Sequence, residues 1–123
     1  EQAEALAADM APHDTRDALR TTIFEEAAPA VRRSRLLVNA TPLGMAPDTD
    51  GTPWPEADDM EAEQIAYDLV YTPERTRFLR EAEAQGATPI GGLPMLVEQA
   101  AAAYRQWTGQ EMPREAVYGA LRS

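Results

Sequence analysis

The sequence predicts an α/β fold built on a parallel sheet with flanking helices. Two stretches, "RLLVNA" (35–40) and "QIAYDLVY" (64–71), are apolar runs of strand length without strict alternation, the pattern of strands covered on both faces. Helical stretches follow the second run and a third, shorter one, and strands alternating with helices at this spacing indicate parallel pairing. Small and polar residues also gather where the strands end, at Asn39, Tyr71 and Gly91-Gly92. In parallel sheets the carboxyl ends of the strands are where ligands bind.

The opening "EQAEALAADM" places Leu6 and Met10 at helical spacing and reads as a short amphipathic helix already under way, so the chain reads as a piece of a longer protein. "DALRTTI" (17–23) has the look of a short strand. "FEEAAPAVRRS" (24–34) reads as a helix interrupted by Pro29, with Arg32, Arg33 and Arg35 near the negative end of its dipole. After the strand at 35–40, residues 41–60 are rich in proline and glycine and form a long loop, a feature that in small domains often serves function. Behind the strand at 64–71, "TPERTRFLREAEAQG" offers Thr72 as N-cap, Pro73 at the first helical position, Phe78, Leu79 and Ala82 as the apolar stripe, and Gly86 as the stop. "ATPI" is a brief strand and "GG" a turn. "LPMLVEQAAAAYRQWTG" is a helix closed by Gly109, and "PREAVYGALR" is a last helix.

With 123 residues the chain can build one core, and its net charge of −10 argues against nucleic acid or an anionic membrane as a partner. All eleven basic residues are arginine, and an acidic, lysine-free surface also suits a protein adapted to high salt. Cysteine is absent, which removes disulfides, thiol nucleophiles and thiolate metal sites. No apolar run approaches the ~20 residues of a membrane span, and the expected location is cytoplasmic. His13 stands alone beside Pro12 and supports neither a metal site nor a triad. The carboxylate-rich "EADDMEAE" and "REAEAQ" lack the spacing of a calcium loop and read as solvated surface, and no glycine-rich phosphate motif or G-x-S-x-G occurs.

Asn39, Ala40 and Thr41 can either bring a flat ligand close to the backbone or simply close a strand-end turn in which the asparagine bonds its own chain. Tyr71 can hydrogen-bond a ligand beside the helix N-terminus expected at Thr72, or serve as a rim tyrosine. On the helix from Leu93, a 100° step per residue aligns Leu96, Ala100, Ala103 and Trp107 into one stripe widened by Val97 and Tyr104. Glu98, Ala101, Ala102 and Arg105 then point away. Met95 and Gln99 fall on a third face near the helix start, where Gln99 can reach a ligand or cap a neighbouring loop.

"VNATPLGM" (38–45), "YDLVYTPERTRFLREAEAQGA" (67–87) and "GGLPMLVEQAAAAYRQWTG" (91–109) together resemble the C-terminal part of shikimate dehydrogenase, in the same order and spacing. The resemblance implies a partial Rossmann-like sheet lacking the first βαβ unit, and an enzyme that reversibly reduces 3-dehydroshikimate to shikimate with NADP as cofactor in aromatic amino acid (chorismate) biosynthesis. It implies that Tyr71 and Gln99 meet the substrate, that Leu69, Gly92 and Met95 line the nicotinamide, and that Asn39, Ala40 and Thr41 form the segment on which the cofactor rests. It further implies an incomplete dinucleotide-binding domain over residues 1–109 and a helix at 110–123 that packs on an N-terminal substrate domain.

The family's catalytic lysine and aspartate belong to that N-terminal domain, and its glycine-rich phosphate loop precedes the stretch represented here. The chain alone is therefore expected to be inactive. With the central strands missing, residues 35–40 should form an apolar edge that drives self-association or leaves residues 1–34 partly disordered. Two other readings remain open at this point. One is a quinate/shikimate dehydrogenase relative. The other is a non-catalytic α/β module that binds a partner through the bare edge.

Overall fold

The computed structural model describes residues 2–122, which form two compact units divided between Arg33 and Ser34. The first unit contains helix α1 (Gln2–Met10), a 3-10 turn at Ala11–His13, a second 3-10 turn at Phe24–Glu26 and helix α2 (Ala28–Arg33). Pro29 falls in the first turn of α2, where its missing N–H costs nothing, and Arg32 and Arg33 occupy the last turn. The strand expected over 17–23 does not form. Asp14 instead organises that stretch as a loop, its carboxylate accepting the backbone N–H groups of Ala18 (3.0 Å) and Leu19 (2.7 Å), and the described unit contains no other strand to pair with it.

The second unit is a three-stranded parallel sheet of β1 (Leu36–Asn39), β2 (Ile65–Asp68) and β3 (Thr88–Ile90) in the spatial order β1-β2-β3. Leu36 lies opposite Ile65, and Ile65 opposite Thr88. Bonds from Ile65 N to Arg35 O (2.9 Å), Leu69 N to Asn39 O (3.0 Å) and Thr88 N to Gln64 O (2.8 Å) extend the ladder past the strand ends. Sequential parallel strands need crossovers on the sheet face. Helix α3 (Arg77–Ala84) supplies one between β2 and β3, burying Phe78, Leu79 and Ala82 as the stripe predicts. It stops where Gly86, at φ +90°, turns the chain and Ala87 N bonds Ala82 O.

The other crossover is the loop at 41–60, whose regular structure is a 3-10 turn at Ala57–Asp59. It is ordered by its own packing. Trp54 and Met60 are buried, Gly44 and Gly51 approach closely, and Ala46 N and Asp50 O are bonded to Thr72 O and the Arg77 guanidinium.

Three expectations need correcting. β1 is not covered on both faces: Leu36 and Val38 are 52% and 50% exposed, because α3 packs on β2 and β3, on the opposite face of the sheet where Ala66 and Asp68 are buried. The same register puts Ile65 and Ile90 on the open face, and β1 is an edge strand, as the resemblance implies.

Thr72 is not the cap of α3. That role belongs to Thr76, whose hydroxyl accepts Leu79 N at 3.4 Å, so the helix starts at Arg77 and residues 71–75 form an irregular segment with a cis Thr72-Pro73 bond.

Helix α4 (Leu93–Thr108) buries Leu93, Val97 and Ala101: Val97 belongs to the expected stripe, but Ala101 falls on the face expected to point away, and Trp107 at the stripe's end is 81% exposed. Alanine occupies both candidate faces, so periodicity could not choose between them. The bulky Leu93 at the tight turn after β3 sets the rotation. Gly109 closes α4 at φ +70° and its N–H bonds Arg105 O. Helix α5 (Arg114–Arg122) then returns along α4, joined to it by two bonds from the Arg114 guanidinium to Glu98 (2.9 and 3.2 Å).

Candidate functional site

The three strand exits converge at one edge of the sheet, and each is shaped by a distinct local device. At the end of β1, Asn39 is 1% exposed and its amide is fully engaged. Nδ2 donates to Asp68 Oδ1 (3.0 Å) and Leu43 O (3.2 Å), while Oδ1 accepts Thr41 N (3.0 Å) and Thr41 Oγ1 (2.6 Å). Asn39 therefore builds the turn, and the exposed Ala40 and Thr41 are what that turn presents to solvent. At the end of β2, Asp68 is wholly buried and takes three donors, from Asn39, from Val70 N (2.9 Å) and from Thr76 Oγ1 (2.6 Å). A buried carboxylate is tolerable when its oxygens are met in this way.

At the exit of β3, Gly92 lies against the backbone leaving β2. A Cβ there would sit 2.3 Å from Leu69 O, and Gly92 N donates to Val70 O at 3.2 Å. Leu69 is half-buried between these contacts, and Met95, one turn into α4, is exposed.

Tyr71 is 45% exposed and lines an open cleft of about 430 Å³ whose walls are Thr72, Pro73, Glu74, Leu93, Leu121 and Arg122. Arg122 Nε donates to Glu74 Oε1 at 2.7 Å, and the guanidinium lies 5.3 Å from the centre of the Tyr118 ring. That hydrogen bond, with the charge behind it, holds Arg122 above its ordinary pKa. Gln99 is exposed, its Nε2 donating to Leu96 O of the same helix (3.0 Å), and neither it nor Met95 lines the Tyr71 cleft.

The geometry thus joins Asn39, Ala40 and Thr41 through Asp68 to the exit that carries Leu69, and joins that exit to Gly92. Tyr71 stands in a separate cleft beside it. Asp68 and Thr76 were not anticipated. The signal was an aspartate inside the otherwise apolar "IAYDLV", which must find donors if the strand is buried. Among the described residues no group of acidic or histidine side chains is arranged to hold a metal ion. No helix there is long and apolar enough to cross a membrane.

A family model of the shikimate 5'-dehydrogenase C-terminal domain matches residues 92–122, the whole of α4 and α5. Over its full length the chain is 69% identical to a shikimate dehydrogenase (NADP(+)) of Salinibacter ruber, of which it spans 44%. Over its whole length the chain is similar to part of the shikimate dehydrogenases. The fold agrees with this similarity. A shikimate 5-dehydrogenase from Thermus thermophilus, solved in complex with NADP(H) and shikimate, superposes with a TM-score of 0.77 at 40% identity, covering 97% of this chain and 41% of that one. Quinate dehydrogenase from Corynebacterium glutamicum, in complex with NAD, gives 0.79 at 30% identity over 94% of this chain and 40% of that one. The chain spans less than half the length of these shikimate dehydrogenase relatives.

Proposed function

We propose that this chain is the nicotinamide-side half of the cofactor domain of an NADP-dependent shikimate dehydrogenase, an oxidoreductase that interconverts 3-dehydroshikimate and shikimate. The observation that carries the proposal is the 69% identity over the full length of the chain. In this reading Tyr71 and Gln99 contact the substrate. Leu69, Gly92 and Met95 line the nicotinamide ring, and the backbone of Asn39, Ala40 and Thr41 supports it. Residues 1–109 form the incomplete cofactor domain, and the segment 110–123 packs against the substrate domain.

The residues at the edge suit one end of the cofactor only. Half-buried Leu69, exposed Met95 and the Gly92 turn offer apolar surface and close backbone, which fits an uncharged ring. The sequence carries no glycine-rich loop to take a pyrophosphate. When bound, the cofactor supplies or accepts the hydride. Gln99 can serve a hydroxylated ligand by exchanging its bond to Leu96 O for one to the ligand, and Tyr71 offers a phenol from the neighbouring cleft wall. No lysine is present to move a proton, so the chain alone should not turn over.

Assaying the full-length protein that carries this chain with shikimate and with quinate, each with NADP and NAD, tests the proposal. Turnover with shikimate and NADP is expected, and no turnover with any of the four pairs would refute it. Quinate with NAD as the preferred pair would instead favour the quinate dehydrogenase reading, which the structural likeness to that enzyme supports. NADPH-dependent turnover by the isolated chain would overturn its proposed inactivity.

A further inference from the structure

Asp68 is enclosed completely, yet its three donors are all uncharged and come from three different segments: the Asn39 side chain, the Val70 backbone and the Thr76 hydroxyl. We propose that Asp68 is a positioning residue whose carboxylate fixes the geometry of all three strand exits, and through them the cofactor rest at Asn39 to Thr41. This deepens the shikimate dehydrogenase reading and rests on it.

A carboxylate only accepts, so Asp68 Oδ1 forces the NH₂ end of the Asn39 amide toward itself. That leaves Asn39 Oδ1 aimed at Thr41, where it accepts both the backbone N–H and the hydroxyl. Were the carboxylate absent, the amide could turn over and set its NH₂ against the Thr41 N–H, opening the turn that presents Ala40 and Thr41. The same Oδ1 holds Val70 N as the chain leaves β2 toward Tyr71. Val70 O in turn accepts Gly92 N at the β3 exit. The other oxygen holds the cap of α3 through Thr76. One side chain therefore runs from the first exit to the third without touching anything that binds there.

The test compares wild type, Asp68→Ala and Asp68→Asn in the full-length protein. The asparagine keeps an oxygen for Asn39 and Val70, and its NH₂ can donate to Thr76 Oγ1, so it is the conservative replacement. Per folded molecule, counted by circular dichroism, Asp68→Ala should lower kcat/KM for NADP by about 10- to 100-fold with a raised KM, the loss typical when a supporting shell is removed. Asp68→Asn should recover most of it. A merely structural residue would reduce the folded yield and leave both constants per folded molecule unchanged, and that result would overturn the proposal.

Hydrogen exchange gives a readout independent of turnover. In Asp68→Ala the amides of Thr41, Val70 and Gly92 should exchange at least about tenfold faster while the Gly109 amide keeps its rate, as local opening requires. Should every site in Asp68→Ala accelerate together, the residue is merely structural, and that result, like unaltered exchange at Thr41, refutes the coupling. Asp68→Asn, which keeps the three bonds, should stay near the wild-type rates. If wild type turns over none of the substrates, the functional reading fails while the exchange experiment still settles the role of Asp68.

Discussion

Replacing Gly92 by alanine should be far more damaging than its backbone conformation suggests. At φ −79° and ψ −14° any residue is comfortable, so strain in the chain is not the issue. Space is. The new Cβ would lie 2.3 Å from Leu69 O, 2.7 Å from Leu69 C and 2.9 Å from Val70 O, all backbone atoms that cannot rotate away. Restoring ordinary contact needs the β3–α4 turn to retreat by about 1 Å, a displacement that overpacking experience values at about 1–3 kcal/mol. The retreat also stretches the 3.2 Å bond from Gly92 N to Val70 O, worth about 1 kcal/mol more, while the stiffer unfolded chain gives back about 0.5 kcal/mol. The net expectation is a loss of about 2–3 kcal/mol. In urea denaturation followed by far-ultraviolet circular dichroism, that moves the midpoint down by about 1–2 M for a chain of this size. Gly109→Ala is the internal control, since it meets no atom within 4 Å and loses only the left-handed cap, about 1 kcal/mol. A Gly92→Ala midpoint equal to or above that of Gly109→Ala would refute the steric reasoning.

Gly119, inside α5 with no atom near its missing side chain, should behave oppositely: Gly119→Ala raises stability by about 0.5–1 kcal/mol in the same assay. Arg122→Gln removes the exposed pair with Glu74, so its small loss of stability should vanish in molar salt. Asp14 is held below the ordinary aspartate value near 3.8 by the Leu19 and then the Ala18 backbone N–H groups. What it contributes to the 14–19 loop is therefore present above that value and disappears as pH falls through the lowered one. In a pH titration by amide NMR, the Leu19 and Ala18 resonances should shift together with a midpoint below 3.8, and Asp14→Asn should abolish the step.

Much of the second unit could be read from the residues because each signal there was local. Gly86 and Gly109 end helices by adopting positive φ, a conformation that favours glycine, and the apolar runs at 35–40 and 64–71 do pair in parallel. The misreadings share a different cause: two local solutions of similar strength, separated only by tertiary contacts. Thr72 and Thr76 are both good caps, and Thr76 wins because Asp68 waits beneath it. Two alanine-rich faces of α4 compete, and the side carrying Leu93 and Val97 is buried. "DALRTTI" has strand composition, but its own unit holds no strand among the described residues. Family likeness singles out the edge residues Asn39, Leu69 and Gly92, whereas Asp68 is hidden by its own strand, since an acidic side chain in an apolar run does not disclose which neighbours it will meet.

The two crossovers span similar lengths of chain, yet only one carries a helix that rests on both strands it connects. Closing β2 on β3 is rewarded at once by the burial of Phe78, Leu79 and Ala82. Bringing β1 to β2 means ordering a proline-rich loop whose internal turn is a single 3-10 element. The sheet should accordingly assemble from its β3 side. Ala82→Gly is then expected to slow refolding in stopped-flow experiments, while Leu37→Ala chiefly accelerates unfolding, and the reverse pattern would exclude this order. By this sequence of events Asp68 stays hydrated until β1 arrives, and the turn at Asn39 to Thr41 becomes native last.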